Sequence, residues 1–424
     1  MSVRVSGLAN GLRVVSDVMD TVESISLGAW VAVGARDEPA ELNGISHLLE
    51  HMAFKGTERR DALAIAAEIE AVGGQLNAYT ARESTAYFAR ILKADLALAV
   101  DIIADILQHS VMDADELARE QDVIVQEINQ SNDTPDDIIF DWFQTTAYPD
   151  QAIGRPVLGS APLIRAMDSR CVLEYMRSHY SAANIVFAAA GRFDHDRLVE
   201  LAADAFDSLP ASADSPRQPA RYVGGDFRES RDLEQAHLLM GMRGVAYDDN
   251  DFYATTVFST LLGGGMSSRL FQEVREKRGL VYSIYSYTSA YVDGGLFGIY
   301  AGTGDTHVPE VVPLVFDEIA KLARGAPDDE IARARAQVKA TILMSLESTS
   351  SRCEQLARQM IVFRRPLAIG EIVARVEAVD SAAIARVATR LMESRLTLAG
   401  IGPGAGMNGL EGAAKRLRSG DTFN

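Results

Sequence analysis

Cysteine is almost absent from this chain. Cys171 and Cys353 are the only two in 424 residues, far apart and without CxxC spacing. That excludes a disulfide framework and a thiolate metal site, and points to a reducing compartment. Basic charge is also short: 41 Lys and Arg stand against 59 Asp and Glu, a formal net charge of -18 and a pI near 4.9. Without a basic footprint for phosphates, a nucleic-acid partner is excluded. A cavity concentrating those carboxylates would instead favour basic peptides. Long apolar runs are missing too. None approaches the roughly 20 residues of a bilayer-spanning helix, so no membrane partner is expected. The opening MSVRVSGLANGLRVVSD alternates like a strand and carries neither the apolar stretch of a signal peptide nor an Arg/Ser-rich transit helix, so a cytoplasmic location is expected. What remains is 47% hydrophobic and 24% charged, a globular composition. The length exceeds what one hydrophobic core usually serves, so at least two domains are expected.

The chain echoes itself. IRAMDSR at 164–170 returns as VEAVDSA at 376–382, an offset of 212 residues. Each copy leads through a helical stretch into an apolar strand ending in glycine, NIVFAAAG (184–191) and RLTLAGIG (395–402). Earlier in each half stand ISLGAWVAV (25–33) and AHLLMGM (236–242), offset 211. Several matches in register at half the chain length read as an internal duplication. Between the halves, LPASADSPRQPARYVGGD (209–226) has linker composition. This places one domain at 1–218, which carries the histidine motif described next and is expected to be the catalytic, metal-binding one, and a homologous domain at 219–424. Within each half, β-rich segments such as STAYFARIL (84–92) alternate with stretches of helical period such as DLALAVDIIADILQ (95–108). The fold class expected is α+β, with two homologous domains that are each a largely antiparallel sheet covered by helices.

SHLLEHMAFKG (46–56) places His47 and His51 one helical turn apart, so both imidazoles face one way and can converge on a metal ion. Glu50 sits at the same edge, within reach of a water at that metal. This is the inverted HxxEH order. Two nitrogens are too few for a catalytic zinc, which takes three protein ligands. MDADELAREQDVIVQEINQ (112–130) supplies a candidate third: Asp113 and Glu116 resemble a helix start, and Glu120 and Glu127 share a face two turns apart. Glu127 would complete a His2Glu site, with Glu120 behind it orienting a histidine or the water. In the second half SHLLEHM lines up with STLLGGGM (259–266), where Thr260, Gly263 and Gly264 replace His47, Glu50 and His51. The helical frame is expected to persist there with every candidate metal group removed.

Taken together, these segments resemble the pitrilysin and mitochondrial processing peptidase family of inverzincins, in its short-chain branch. The likeness runs over essentially the whole chain. It includes HxxEH at 47–51, Glu127 in REQDVIVQEI, GGQLNAYTARESTAYFA (73–89) and GGGMSSRLFQEVREKRGLVYSIYSY (263–287). The resemblance implies a zinc metalloendopeptidase with one Zn2+ per chain. His47, His51 and Glu127 would be its ligands, Glu50 the general base and Glu120 an outer carboxylate. It also implies an edge strand at Asn77, Ala78 and Tyr79 onto which a peptide substrate adds, and substrate contacts from Arg275 and Tyr282. Family members of this length pair with a second copy or a related subunit to enclose a chamber, so a homodimer or heterodimer is expected. Two other readings stand beside this one. A non-catalytic scaffold subunit of the same fold would generally lack HxxEH. A structural zinc site would need a fourth ligand, and the nearest other histidine, His109, falls at the end of a different helix.

Overall fold

The computed structural model describes residues 3–212 and 217–403, so the middle of the expected linker, 213–216, lies outside the described residues. Eleven strands are described: β1 (Val3–Gly7), β2 (Arg13–Val18), β3 (Ser24–Val31), β4 (Gln75–Thr80), β5 (Thr85–Leu92), β6 (Ile185–Gly191), β7 (Gly225–Ser230), β8 (Ala236–Arg243), β9 (Val281–Ala290), β10 (Gly295–Thr303) and β11 (Thr397–Gly402). They form a sheet of order β1-β2-β6-β3-β5-β4 and another of order β7-β11-β8-β10-β9. Each sheet has one parallel pair, β2 with β6 and β7 with β11; every other pairing is antiparallel.

The two sheets share one wiring. β2, β6, β3, β5 and β4 occupy the places of β7, β11, β8, β10 and β9, and three of these pairs begin 212 residues apart: Arg13 and Gly225, Ser24 and Ala236, Ile185 and Thr397. Only β1 has no counterpart among the described residues. Five strands in the same order, with the parallel pair in the same place, are the structural form of the repeat. The α+β class with two homologous, antiparallel-rich domains is thus what the chain adopts.

In the first sheet, one face packs on helices α1 (Ile45–Ala53), α2 (Ala62–Ala71), α3 (Leu96–Gln108) and α4 (Ala114–Asp133), and on the later helices Ser169–His179 and His195–Ala205. The opposite face presents Val15, Trp30, Ala86, Val186, Ala188 and Ala190, and the helix Thr349–Val362 covers it with Cys353, Leu356, Ala357 and Met360. Ala188 and Ala190 of β6 are small where that helix lies close, and every residue of β6 is buried. The second sheet repeats the plan. Helices Phe252–Gly263, Val308–Leu322 and Ser381–Met392 lie on one face. On the other, α5 (Pro135–Ala147) sets Ile138, Ile139 and Phe143 against Leu239, Tyr300, Ala399 and Ile401.

A single cut at 218/219 does not describe the compact units. One unit holds Met1–Gln130, Arg155–Gln218 and Met344–Pro366, and the other holds Ser131–Gly154, Pro219–Leu343 and Leu367–Asn424. The cut itself recurs between Gln218 and Pro219, but each half of the sequence lends a helix-bearing segment to the unit built mainly from the other half. The reason is burial. Each sheet has a second apolar face that its own half leaves uncovered, and each fully buried Leu or Met side chain is worth about 1.5–3 kcal/mol. Among the described residues, no helix is long and apolar enough to cross a membrane.

Candidate metal centre

The site begins with α1. Gly44 precedes it at φ 99, and a Cβ there would lie 2.9 Å from the Leu158 carbonyl oxygen, so only glycine makes this turn. The first backbone amides of the helix are met by a side chain from outside it. The buried Glu38 carboxylate accepts from Gly44 N, Ser46 N and Asn43 Nδ2, each at 2.8 Å. Ile45, Leu48, Leu49 and Met52 are fully buried, which turns His47 and His51 to the other side of the helix. Their ring centroids are 4.6 Å apart.

α4 brings the carboxylates. Asp113 caps it, its Oδ1 accepting from Asp115 N at 2.9 Å and Glu116 N at 3.0 Å. Glu127 Oε2 lies 3.6 Å from His47 Nε2 and 3.8 Å from His51 Nε2. One ligand atom from each of His47, His51 and Glu127 falls within 4.8 Å of the other two. Glu120, nearly buried, accepts from His51 Nδ1 at 2.8 Å and pairs with Lys55 Nζ at 2.6 Å. Burial by itself raises a carboxyl pKa, but the Lys55 and His51 hydrogen bonds outweigh it and hold Glu120 below the ordinary range.

The donor set suits a metal. Burial, and then the neighbouring His51, push His47 down to about 4, so its ring is neutral at neutral pH. The Glu120 bond to Nδ1 of His51 leaves Nε2 of that ring facing Glu127. Two imidazoles and one carboxylate are a ligand set of catalytic zinc sites that keep a fourth position open. His47 Nδ1 is buried without a hydrogen-bond partner among the described residues. His109 caps the end of α3 and is not part of the cluster.

Glu50 is raised above the usual carboxylate range, mainly by burial, against the opposing hydrogen bond from Thr80 Oγ1 at 2.6 Å. Thr80 ends β4, the outermost strand of its sheet. On this strand Ala78 packs toward the same core as α1, whereas Tyr79 turns to the other face. There its hydroxyl accepts from Trp30 Nε1 at 3.2 Å and donates to Glu354 Oε1 at 3.4 Å, so toward α1 Tyr79 offers backbone only. Asn77 Oδ1 accepts from Ala78 N at 2.8 Å. In the other unit, Arg275 lies on a π-helical turn, Phe271–Glu276, with its guanidinium 4.6 Å from the Phe271 ring centroid and 5.8 Å from that of Tyr282. Tyr282 is strongly exposed on β9, so the structure brings these two residues to each other.

The second copy of the motif is closed by backbone. Helix Phe252–Gly263 ends where the HxxEH counterpart falls, so the frame persists only through Gly263. A Cβ on Gly263, the counterpart of Glu50, would meet Ser286 N of β9 at 2.5 Å. The space that Glu50 and Thr80 share in the first unit is filled there by a strand. Three residues of the first site were not evident from sequence: Thr80, Lys55 and Glu38. Lys55 stands past the end of α1, where helical spacing gives no register. Glu38 reaches α1 through a turn and has no periodic signal.

Comparison with known proteins identifies the family. The family profile for insulinase (peptidase family M16) matches residues 13–161, and that for the peptidase M16 inactive domain matches residues 170–338. An uncharacterized zinc protease of Streptomyces coelicolor is 40% identical over 412 residues, covering 95% of this chain and 90% of that protein. A probable mitochondrial-processing peptidase subunit beta of Arabidopsis thaliana is 34% identical over 416 residues, covering 94% and 78%. Among solved structures, a protease from Helicobacter pylori superposes with a TM-score of 0.88 at 22% identity over 95% of this chain and 99% of that one. At that identity the likeness concerns the fold. The chain belongs to peptidase family M16.

Proposed function

We propose that this protein is a zinc metalloendopeptidase that hydrolyses peptides or unfolded, presequence-like segments inside an enclosed chamber. The observation that carries the reading is the convergence of His47, His51 and Glu127, with Glu50 fixed beside them by Thr80. The zinc-protease name of the Streptomyces relative supports the choice of metal. Zinc held by the three ligands supplies Lewis acidity, which polarises a carbonyl and acidifies a water. Glu50 takes the proton of the attacking water and hands it to the departing amine. Its raised pKa suits a group that must both accept and release that proton. The peptide adds to the open edge of β4 at Asn77, Ala78 and Tyr79 as an extra strand. Arg275 and Tyr282 donate hydrogen bonds to the substrate backbone and to the oxyanion.

The chamber is completed by a second copy or a related subunit, and walls carrying part of the chain's -18 surplus favour peptides containing Lys or Arg. Glu50→Gln tests the reading: it keeps zinc at the wild-type level and loses nearly all hydrolysis. Substantial peptidase activity in that variant would overturn the assignment of the base. Native mass of the purified protein identifies the partner.

A further inference from the structure

We propose that Lys55 is a positioning residue of the metal site, acting on His51 through Glu120. The proposal rests on the zinc site described above. Lys55 lies two residues past the end of α1, in the bend that follows Phe54, so its place beside α4 is set by that bend rather than by helical spacing. Its Nζ lies 2.6 Å from Glu120 Oε1, and the other oxygen of that carboxylate lies 2.8 Å from His51 Nδ1. Each oxygen of a nearly buried carboxylate thus has its own partner, and the group is tethered at both ends. One tether without the other leaves the carboxylate free to turn about its last bond.

The tether decides which nitrogen of His51 carries the proton. A neutral imidazole has two tautomers, and the hydrogen bond made by one nitrogen selects between them. With Glu120 fixed, the proton sits on Nδ1 and the lone pair of Nε2 faces Glu127 across 3.8 Å. Without Lys55, Glu120 loses its orientation and the tautomer protonated on Nε2, which cannot bind a metal there, becomes populated.

Three readouts test this, and the first needs no metal. Long-range nitrogen–proton NMR of the metal-free protein should show His51 protonated on Nδ1 in the wild type and a tautomer mixture in Lys55→Met. Zinc affinity, measured by chelator competition, should fall about 10-fold in Lys55→Met, the scale of losing an outer partner of a ligand. Lys55→Arg, which keeps a cation in reach, should restore both. In a Glu120→Gln background, Lys55→Met should weaken zinc no further, because two residues acting along one chain of contacts are not additive. An unchanged His51 tautomer with unchanged zinc affinity in Lys55→Met overturns the proposal, and so do losses from Lys55→Met and Glu120→Gln that multiply. If the wild type binds no zinc at all, the proposed function fails while the tautomer measurement still decides the role of Lys55.

Discussion

Thr80 Oγ1 donates a 2.6 Å hydrogen bond to Glu50 Oε2, joining the outermost strand of the first sheet to the middle of α1. The strand proposed to receive the peptide and the base proposed to cleave it are therefore tied together at Thr80. A hydrogen bond to a charged group is worth about 1.5–3 kcal/mol, or roughly 10–100-fold in a rate. Thr80→Val should lower kcat by about that factor with zinc content and Tm near wild type, and Thr80→Ser should recover most of it. The Thr80 backbone also bonds Glu50 and survives this change, so a kcat equal to wild type in the valine variant would mean that Glu50 needs no help from the hydroxyl.

Removal of ligands should separate the inner from the outer carboxylate. His47→Ala, His51→Ala and Glu127→Ala each delete a converging donor and should abolish stoichiometric zinc in metal analysis of the purified protein. Glu120→Ala touches the metal only through His51 and should retain more zinc, at about 10–100-fold weaker affinity. Zinc retention in the reverse order would exchange the roles of Glu120 and Glu127.

Folding stability should depend on pH through His195. This ring is buried between two serines, with Nδ1 2.7 Å from Ser16 Oγ and Nε2 2.9 Å from Ser6 Oγ. Burial, and then Arg4, push its pKa below the ordinary 6.5, and the start of a helix is a poor place for a cation. The unfolded chain therefore takes up a proton near pH 6.5 that the folded protein refuses. Stability from this group is full above that pH and falls as pH drops below it. Urea unfolding of the metal-free protein at pH 7 and pH 5 should show a larger loss in the wild type than in His195→Gln, which keeps hydrogen-bonding groups but does not titrate. Equal losses would place the pH dependence elsewhere.

A chain ended after Gln218 should not behave as a folded catalytic domain. It lacks the helix Thr349–Val362, so Trp30, Ala86, Val186, Ala188 and Ala190 lose their cover. An exposed apolar sheet face of this kind associates rather than staying monomeric. Light scattering should detect aggregation, and adding residues 344–366 through a flexible linker should restore a monomer with cooperative unfolding. A monomeric, cooperatively unfolding 1–218 fragment would show that the exchanged helix is dispensable.

The pairing of His47 with His51, and of Glu120 with Glu127, was legible in the sequence because helical geometry is local. A spacing of four puts His47 and His51 on one side of α1, and a spacing of seven does the same for Glu120 and Glu127 on α4. The duplication was legible because whole segments such as IRAMDSR and VEAVDSA recur half a chain apart, and the structure gives it form in five strands of the same order. Tertiary structure alone decided the rest. It gave helix Thr349–Val362 to the first sheet and α5 to the second, because an uncovered apolar face accepts any helix that fits it, whatever its place in the chain. It also chose Thr80, Lys55 and Glu38, whose partners are set by packing between elements rather than by period. A spacing rule follows from the geometry of one element, whereas a hydrogen bond between elements depends on how their surfaces meet, and no single stretch of sequence records that.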